Sequence, residues 1–455
     1  MHKSIMNKIT YVLASVIAAV TFASPASALP LFARQTGMEC AACHFQHFPM
    51  LTAFGRAFKS GAYTLVGAQS KVEGDNLSIP AVLNAAILST AGYTKNDSQG
   101  SVAAGNPDGT KTPGDGEFYV PGTGGEFSLF VGGRTSDFSG ALAELGMVPS
   151  GGAAGGLSSA KIPMLWAVGD NGTRAGLVPF TTDGQGASYG FETLNTGANA
   201  VHTMLFVGGD ANGSIAPALS AQQYIGTGAA ATGFALVANN PNFFINITKY
   251  NQTGPTDSGI TAELGSTYAR AAYIFDAGGW DSAVGVQSWS GSSWDGGDGT
   301  GDYTTFNKTD TKATAIDAQM QGALANGMPL GVYASFARAP ASTGIDNAYN
   351  MDVNTTSGGG TGTDTKSSFN ISAELGVIPQ KATLAIGIRR GKSGQAVGGS
   401  NNASDNAILV AASYKLAQNI MVNLYYVSQS GDYWTQTNTD AVGAKQTTIN
   451  LATIF

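Results

Sequence analysis

From about Leu77 to Phe455 the chain repeats stretches of about ten residues in which apolar and polar side chains alternate. Clusters of Gly, Asp, Asn, Ser, Thr and Pro separate them. Period-two alternation limits the chain to sheets with two chemically different faces. In Lys445–Phe455, Ile449, Leu451, Thr453 and Phe455 lie opposite Thr448, Asn450 and Ala452. Ile408, Val410, Ala412, Tyr414 and Leu416 oppose Ser413 and Lys415, and Ile420, Val422, Leu424 and Tyr426 oppose Asn423. Leu330, Val332, Ala334 and Phe336 oppose Gly331, Tyr333 and Ser335, while Ile316, Ala318, Met320 and Leu324 oppose Asp317, Gln319 and Gln321. Strands in soluble sheets average five or six residues, whereas about ten cross a bilayer at a tilt. The pattern predicts a mainly β chain: a transmembrane antiparallel β-barrel of about 16 strands over 77–455, around an aqueous lumen.

Composition agrees. Charged residues are 12%, against roughly 25% in ordinary globular proteins, and Gly, at 62 of 455, is about twice its usual share. A net charge of −7 with 43% hydrophobic residues excludes a disordered polyelectrolyte. A sequence pI of 5.1 excludes a nucleic-acid binder that needs a basic stripe. Two cysteines exclude a disulfide scaffold. Phe455 ends a strand, as in the assembly signal of outer-membrane barrels. Tyr250, Trp289, Tyr414 and Trp434 are expected at strand ends in interfacial girdles. Ala-Glu-Leu-Gly recurs around Glu144, Glu263 and Glu374, each Glu opposite apolar neighbours, so all three carboxylates are expected to face the lumen. Lys95–Gly125, Ser290–Lys312 and Asp346–Lys366 read as outer loops. Asp295, Asp298, Asp302, Asp310, Asp346, Asp352 and Asp364 would give them an acidic rim that attracts cations.

The N-terminus reads as a secretory leader. His2, Lys3 and Lys8 precede the apolar run Tyr11–Ala23, and Ala26-Ser27-Ala28 follows Pro25. Cleavage after Ala28 is expected, with an uncleaved anchor as the alternative. The chain then divides into a leader (1–28), a short aromatic segment (29–76) and the barrel (77–455).

One motif carries chemistry. Cys40-Ala41-Ala42-Cys43-His44 is C-x-x-C-H, the attachment motif of c-type haem. Two thiols three positions apart reach the vinyl groups of a porphyrin, and the adjacent His44 ligates iron. A disulfide, a redox dithiol or half of a zinc site are the competing readings. A zinc site needs further ligands from a chain with four His. For the distal position Met50 ranks first and His47 second. Met38 and the remote His202 are the other candidates, and an open site remains. On a helix His47 would share a face with His44, while Pro49 would break the helix and let Met50 fold back over the ring. Arg34, Arg56 and Lys59 are candidate propionate partners, or simply solvated. Phe32, Phe45, Phe48, Phe54 and Phe58 would wall the porphyrin.

The run Phe32-Ala33-Arg34-Gln35-Thr36-Gly37-Met38, the motif itself, Phe45-Gln46-His47-Phe48-Pro49 and Phe54-Gly55-Arg56-Ala57-Phe58-Lys59 resemble the outer-membrane monohaem cytochrome–porin fusions of iron-oxidising bacteria. The resemblance covers about Leu29–Gly67; beyond that it rests on length, pattern and Phe455. It implies one covalently bound haem c, held by Cys40, Cys43 and His44, in a segment that plugs or enters a barrel embedded in outer-membrane lipid. It also implies extracellular Fe(II) as electron donor and a periplasmic cytochrome as acceptor. A porin-type channel with a structural or sensory haem plug, and outward electron transfer to external acceptors, are the alternatives.

Overall fold

The computed structural model describes residues 31–75, 77–96, 116–147, 155–205, 215–255, 263–294, 308–343, 345–350, 362–396, 400–436 and 444–455. The expected leader and its cleavage point lie outside these residues, as do Asp295, Asp298, Asp302 and Asp352. A two-stranded hairpin, Lys71–Gly74 with Leu77–Pro80, precedes the wall. The wall is a closed barrel of sixteen strands whose neighbours pair antiparallel. They are β1 (Ala85–Asn96), β2 (Phe127–Arg134), β3 (Gly140–Gly146), β4 (Leu157–Lys161 continued by Met164–Ala167), β5 (Arg174–Thr182), β6 (Ala231–Asn240), β7 (Phe243–Asn251) and β8 (Ser266–Asp276). The second half comprises β9 (Asp281–Trp294), β10 (Ala313–Ala323), β11 (Pro329–Ala339), β12 (Lys366–Ile378), β13 (Ala382–Lys392), β14 (Ser404–Ala417), β15 (Ile420–Ser430) and β16 (Lys445–Ile454). β16 closes on β1, from Gln446↔Asn96 to Ile454↔Leu88, and Phe455 exchanges both backbone hydrogen bonds with Ile87.

The alternation does what the sequence requires. Leu236, Val286, Ile316, Leu384 and Val410 are each more than half exposed and face outward, whereas Asn246, Thr248, Gln319, Asn423 and Asn450 are buried and face inward. An apolar exterior and a polar interior suit lipid outside. Glu144 and Glu374 face inward as expected. Glu263 does not: it is exposed, three residues before β8 begins at Ser266, and belongs to no strand. Tyr250 and Trp289 also depart from expectation. They share parity with lumen residues, Tyr250 with Thr248 and Trp289 with Gln287, so both are buried inside the wall. There Tyr250 Oη lies 2.7 Å from Tyr349 Oη, and Trp289 stacks at a tilt on Tyr268 with ring centroids 4.9 Å apart. Tyr414 does face outward, and Trp434 sits beyond β15 in the helix Asp432–Gln436, donating from Nε1 to Asp405.

All tight connections lie at one end of the barrel (β2–β3, β4–β5, β6–β7, and so on to β14–β15), and the long ones lie at the other. In outer-membrane barrels short turns face the periplasm and long loops the exterior. The chain enters β1 from the short-turn end.

The lumen is not an open aqueous channel along the described residues. Two segments fill it. The first is the N-terminal segment: helix α1 (Leu31–Thr36), the single turn α2 (Cys40–Cys43) and helix α3 (Ala53–Ser60), which enters from the short-turn end. The second is the connection between β5 and β6, whose described residues, 183–205 and 215–230, turn inward. Its Phe191, Leu194, Met204, Leu205 and Ile215 are almost wholly buried. Glu192 accepts from Arg270 Nε of β8 at 3.0 Å, and Arg270 also binds Asp317 of β10. Asn246 donates to the Phe191 carbonyl at 2.9 Å, and Asn370 donates to that of Pro217 at 3.0 Å. A plug lashed by a buried cation between two carboxylates resists leaving, because withdrawal would strand those charges.

Candidate functional site

The N-terminal segment is positioned by its own turns and by the wall. Thr52 caps α3, its hydroxyl accepting from Gly55 N at 3.1 Å. Gly55 lies against the Cys43 carbonyl so closely that a Cβ there would overlap backbone. Glycine thus permits α3 to rest on the C-x-x-C turn. Gln35 donates to the carbonyls of Tyr63 and Leu65, and Leu51 exchanges two hydrogen bonds with Asn195 of the plug, 2.8 and 2.9 Å.

The chain does not remain helical through the motif. His44 has extended backbone and pairs with Leu51 across a tight hairpin, in which Phe45 N donates to the Met50 carbonyl. His47 therefore does not share a helix face with His44. Its Nε2 lies 2.6 Å from Glu374 of β12 and its Nδ1 2.7 Å from the Phe48 carbonyl, so both nitrogens are engaged. Burial would lower the His47 pKa, but the charge and hydrogen bond of Glu374 outweigh it and raise it. The Met50 side chain is fully buried in a cluster with Met204, Leu205, Ile215 and Leu219, away from the motif. Its carbonyl instead sits 3.0 Å from His44 Nδ1. Neither leading distal candidate faces the cavity described next.

Cys40, Cys43 and His44 line a partly open cavity of about 210 Å³ near the short-turn end. Phe32, Phe48, Phe58 and Tyr63 contribute aromatic walls, and Leu88, Leu142 and Ile454 close it from the barrel side. Phe54 is more than a third exposed and Phe45 packs on the Met50 cluster, so neither is part of those walls. Burial drives His44 down to about 4, leaving it neutral. With Nδ1 held by a carbonyl, Nε2 is the free ring nitrogen, the arrangement that orients a metal-binding histidine. Burial raises both thiols, the opposite of an activated redox dithiol. Among the described residues no cluster of three His, Cys, Asp or Glu is arranged to hold a metal ion, which removes the zinc reading its further ligands.

The cations differ from expectation. Arg34 is not at the cavity; its guanidinium donates to the Ala85 carbonyl. Arg56 is spent on Asp281, binding both carboxylate oxygens at 2.7 and 2.6 Å. Both arginines point to the wall because their partners are the start of β1 and the start of β9. Lys59, of the expected set, does line the cavity, and so does Lys161 of β4, which sequence reading did not single out. Lys161 donates to the Tyr189 carbonyl at 2.9 Å, and Lys59 Nζ lies 3.1 Å from His202 Nε2. Burial lowers Lys59 to about 7. Neither lysine has a carboxylate within salt-bridge distance among the described residues. Two thiols at thioether spacing, an oriented neutral imidazole, aromatic walls and two lysine amines with no salt-bridge partner among the described residues fit a covalently attached haem with its two carboxylates.

No family model and no curated protein sequence matches the chain. Similar solved structures include OmpT expressed in the outer membrane of Vibrio cholerae, at 11% identity and a TM-score of 0.46, covering 85% of this chain and 100% of that one. Salmonella typhi OmpF in complex with daunomycin is similar at 10% identity and 0.46, covering 85% and 100%. The outer-membrane channel DcaP of Acinetobacter baumannii is similar at 10% and 0.43, covering 82% and 97%. The chain folds as a transmembrane-type β-barrel. Its closed sixteen-strand wall, lipid-compatible exterior and two classes of connection all belong to that architecture.

Proposed function

We propose that this barrel carries one haem c and moves electrons across the outer membrane, from extracellular Fe(II) to a periplasmic cytochrome. The observation that carries the reading is the convergence of Cys40, Cys43 and His44 in one lumen cavity that the amines of Lys59 and Lys161 also line. When bound there, the haem supplies a one-electron centre. Cys40 and Cys43 would anchor it, and His44 would offer Nε2 while the Met50 carbonyl holds Nδ1. Lys59 and Lys161 would meet its carboxylates as charge-assisted donors.

The surrounding chain supports electron rather than solute passage. The plug and the N-terminal segment occupy the lumen with buried side chains, so the metal ion stays outside while the electron crosses. Cys40 and Cys43 are half-buried at the short-turn end, which leaves a periplasmic carrier a close approach. At the opposite rim Asp346 and the exposed Asp364 belong to the acidic loops expected to draw cations. The net reaction is one electron from each Fe(II), leaving Fe(III), to the carrier.

The test is anaerobic titration of the purified full chain with Fe(II), after a haem stain on a denaturing gel. Covalent haem that develops ferrous bands supports the reading, and haem that stays ferric refutes it. Solute conductance in planar bilayers that is indifferent to the haem's oxidation state would favour a channel with a structural plug.

A further inference from the structure

His202 stands out among the side chains around the cavity. It belongs to the plug, not to the N-terminal segment, and it is buried. Among the described residues its Nδ1 makes no hydrogen bond of normal geometry, only a looser approach to the Leu194 backbone, a costly condition for a buried imidazole nitrogen. Its Nε2 meets only the Lys59 amine, at 3.1 Å. Burial, reinforced by the charges of Lys59 and Lys161, drives its pKa well below the ordinary value, so the ring is neutral and keeps one lone pair, for which iron would compete with the Lys59 amine at Nε2. It lines the same cavity as His44, from a different chain segment.

The alternatives in the cavity are weaker. Met38 lies two residues before Cys40 and is more than a third exposed. Met50 and His47 do not line the cavity, the first buried in the Met204 cluster and the second engaged at both nitrogens. Lys59 and Lys161 are the other amine donors that line it, and Lys161 is already held by the Tyr189 carbonyl.

Resting on the haem reading above, we propose that His202 is the second axial ligand, making the centre a bis-histidine haem assembled from the N-terminal segment and the plug. A neutral, buried imidazole that lines the same cavity as a C-x-x-C-H histidine is chemically suited to a borderline metal such as haem iron. Such a centre lacks the rise in potential that a methionine ligand gives.

The experiment uses the full chain matured with c-type haem. Covalent attachment is read first, by intact mass and haem stain. No attached haem in the unaltered protein would overturn the haem reading itself, and this proposal with it. With haem attached, ferric EPR and near-infrared magnetic circular dichroism identify the ligand pair directly. A low-spin bis-imidazole signature is expected; a methionine–iron charge-transfer band or a histidine–amine signature would overturn the proposal. H202A should keep the attached haem mass and lose the low-spin signal, and added imidazole should restore it. H202M should gain the methionine band and a higher potential. A low-spin spectrum unchanged in H202A, or lost in K59M instead, would refute His202. Because the ligand pair is read on the unaltered protein, the result stands even where H202A fails to fold.

Discussion

The contact between His47 and Glu374 sets how firmly the N-terminal segment is docked. The two side chains are 2% and 0% exposed and meet at 2.6 Å. Glu374→Gln removes the carboxylate but keeps the shape. Removing one partner of a buried pair costs about 3–5 kcal/mol, because the other charge is left uncompensated. At about 1.4 kcal/mol per tenfold, local opening of the segment should rise by roughly two to three and a half orders of magnitude. The barrel pairings do not depend on this contact, so the loss should be local. Native-state hydrogen exchange in detergent micelles measures it directly: amides of α1 and α3 lose protection while those of β13–β15 do not. A double change to apolar residues, His47→Phe with Glu374→Leu, should cost far less than either single change, since no charge is stranded. The pH dependence has a definite sign. The folded His47 pKa is raised above its usual 6.5. Its contribution is therefore complete below that value and is lost as pH rises through the folded pKa. Exchange protection of the segment should weaken from neutral toward alkaline pH, and the dependence should vanish in His47→Phe. Equal protection of α1 and α3 in the native chain and in Glu374→Gln would refute this account.

Other consequences are as open to measurement. Cys40→Ala with Cys43→Ala should abolish covalent haem on a stained gel while leaving the heat-modifiable mobility of a folded barrel, since neither thiol contributes to the wall. Gly55→Ala should lower haem attachment and destabilise the segment by about 1–3 kcal/mol, because the new methyl overlaps the Cys43 carbonyl; calorimetry and haem-to-protein ratio test this. Arg270→Met strands Glu192 and Asp317, at about 3–5 kcal/mol, and should loosen the plug enough to raise single-channel conductance in planar bilayers. Leu236→Arg places a charge on the lipid face at about 2–4 kcal/mol if it lies near the midplane, and folding yield into vesicles should fall accordingly.

The wall was legible because lipid and lumen impose opposite chemistry on successive residues. Ile408–Leu416 and Ile449–Phe455 announce which side they face without any tertiary information. The same rule, applied by parity, would have placed Tyr250 and Trp289 inside; reading aromatics by strand position alone misled. The recurrence of Ala-Glu-Leu-Gly located two lumen carboxylates, Glu144 and Glu374, but not Glu263, whose strand begins later at Ser266. The C-x-x-C-H motif was legible because its spacing is chemical. The groups that complete the cavity were not. Lys161, Tyr189 and His202 come from β4 and from a connection with no periodicity, and only the fold brings them to His44. The signal available for the plug was negative: residues 183–230 are too long for an ordinary connection and too apolar for an exposed one. The placement of Met50 was not legible for a local reason. The chain leaves the helix at His44, so its carbonyl, and not its sulfur, reaches the imidazole.

The seam between β1 and β16 has a consequence for how the molecule comes into being. It joins positions at the two extremes of the barrel sequence, Leu88–Asn96 with Gln446–Ile454, and so carries the greatest chain-closure entropy of any pairing in the wall. Until it forms, two strand edges offer unpaired amides and carbonyls to any neighbouring chain. The lumen contents are held at the same seam: Leu88 and Ile454, paired with each other across it, both line the cavity. A zipper that closes last around cargo already in place would protect its own edges and seal the site in one event. Premature closure would leave the N-terminal segment outside, with a smooth wall and an empty interior. Timing of assembly, as much as affinity, then decides whether a functional molecule is made.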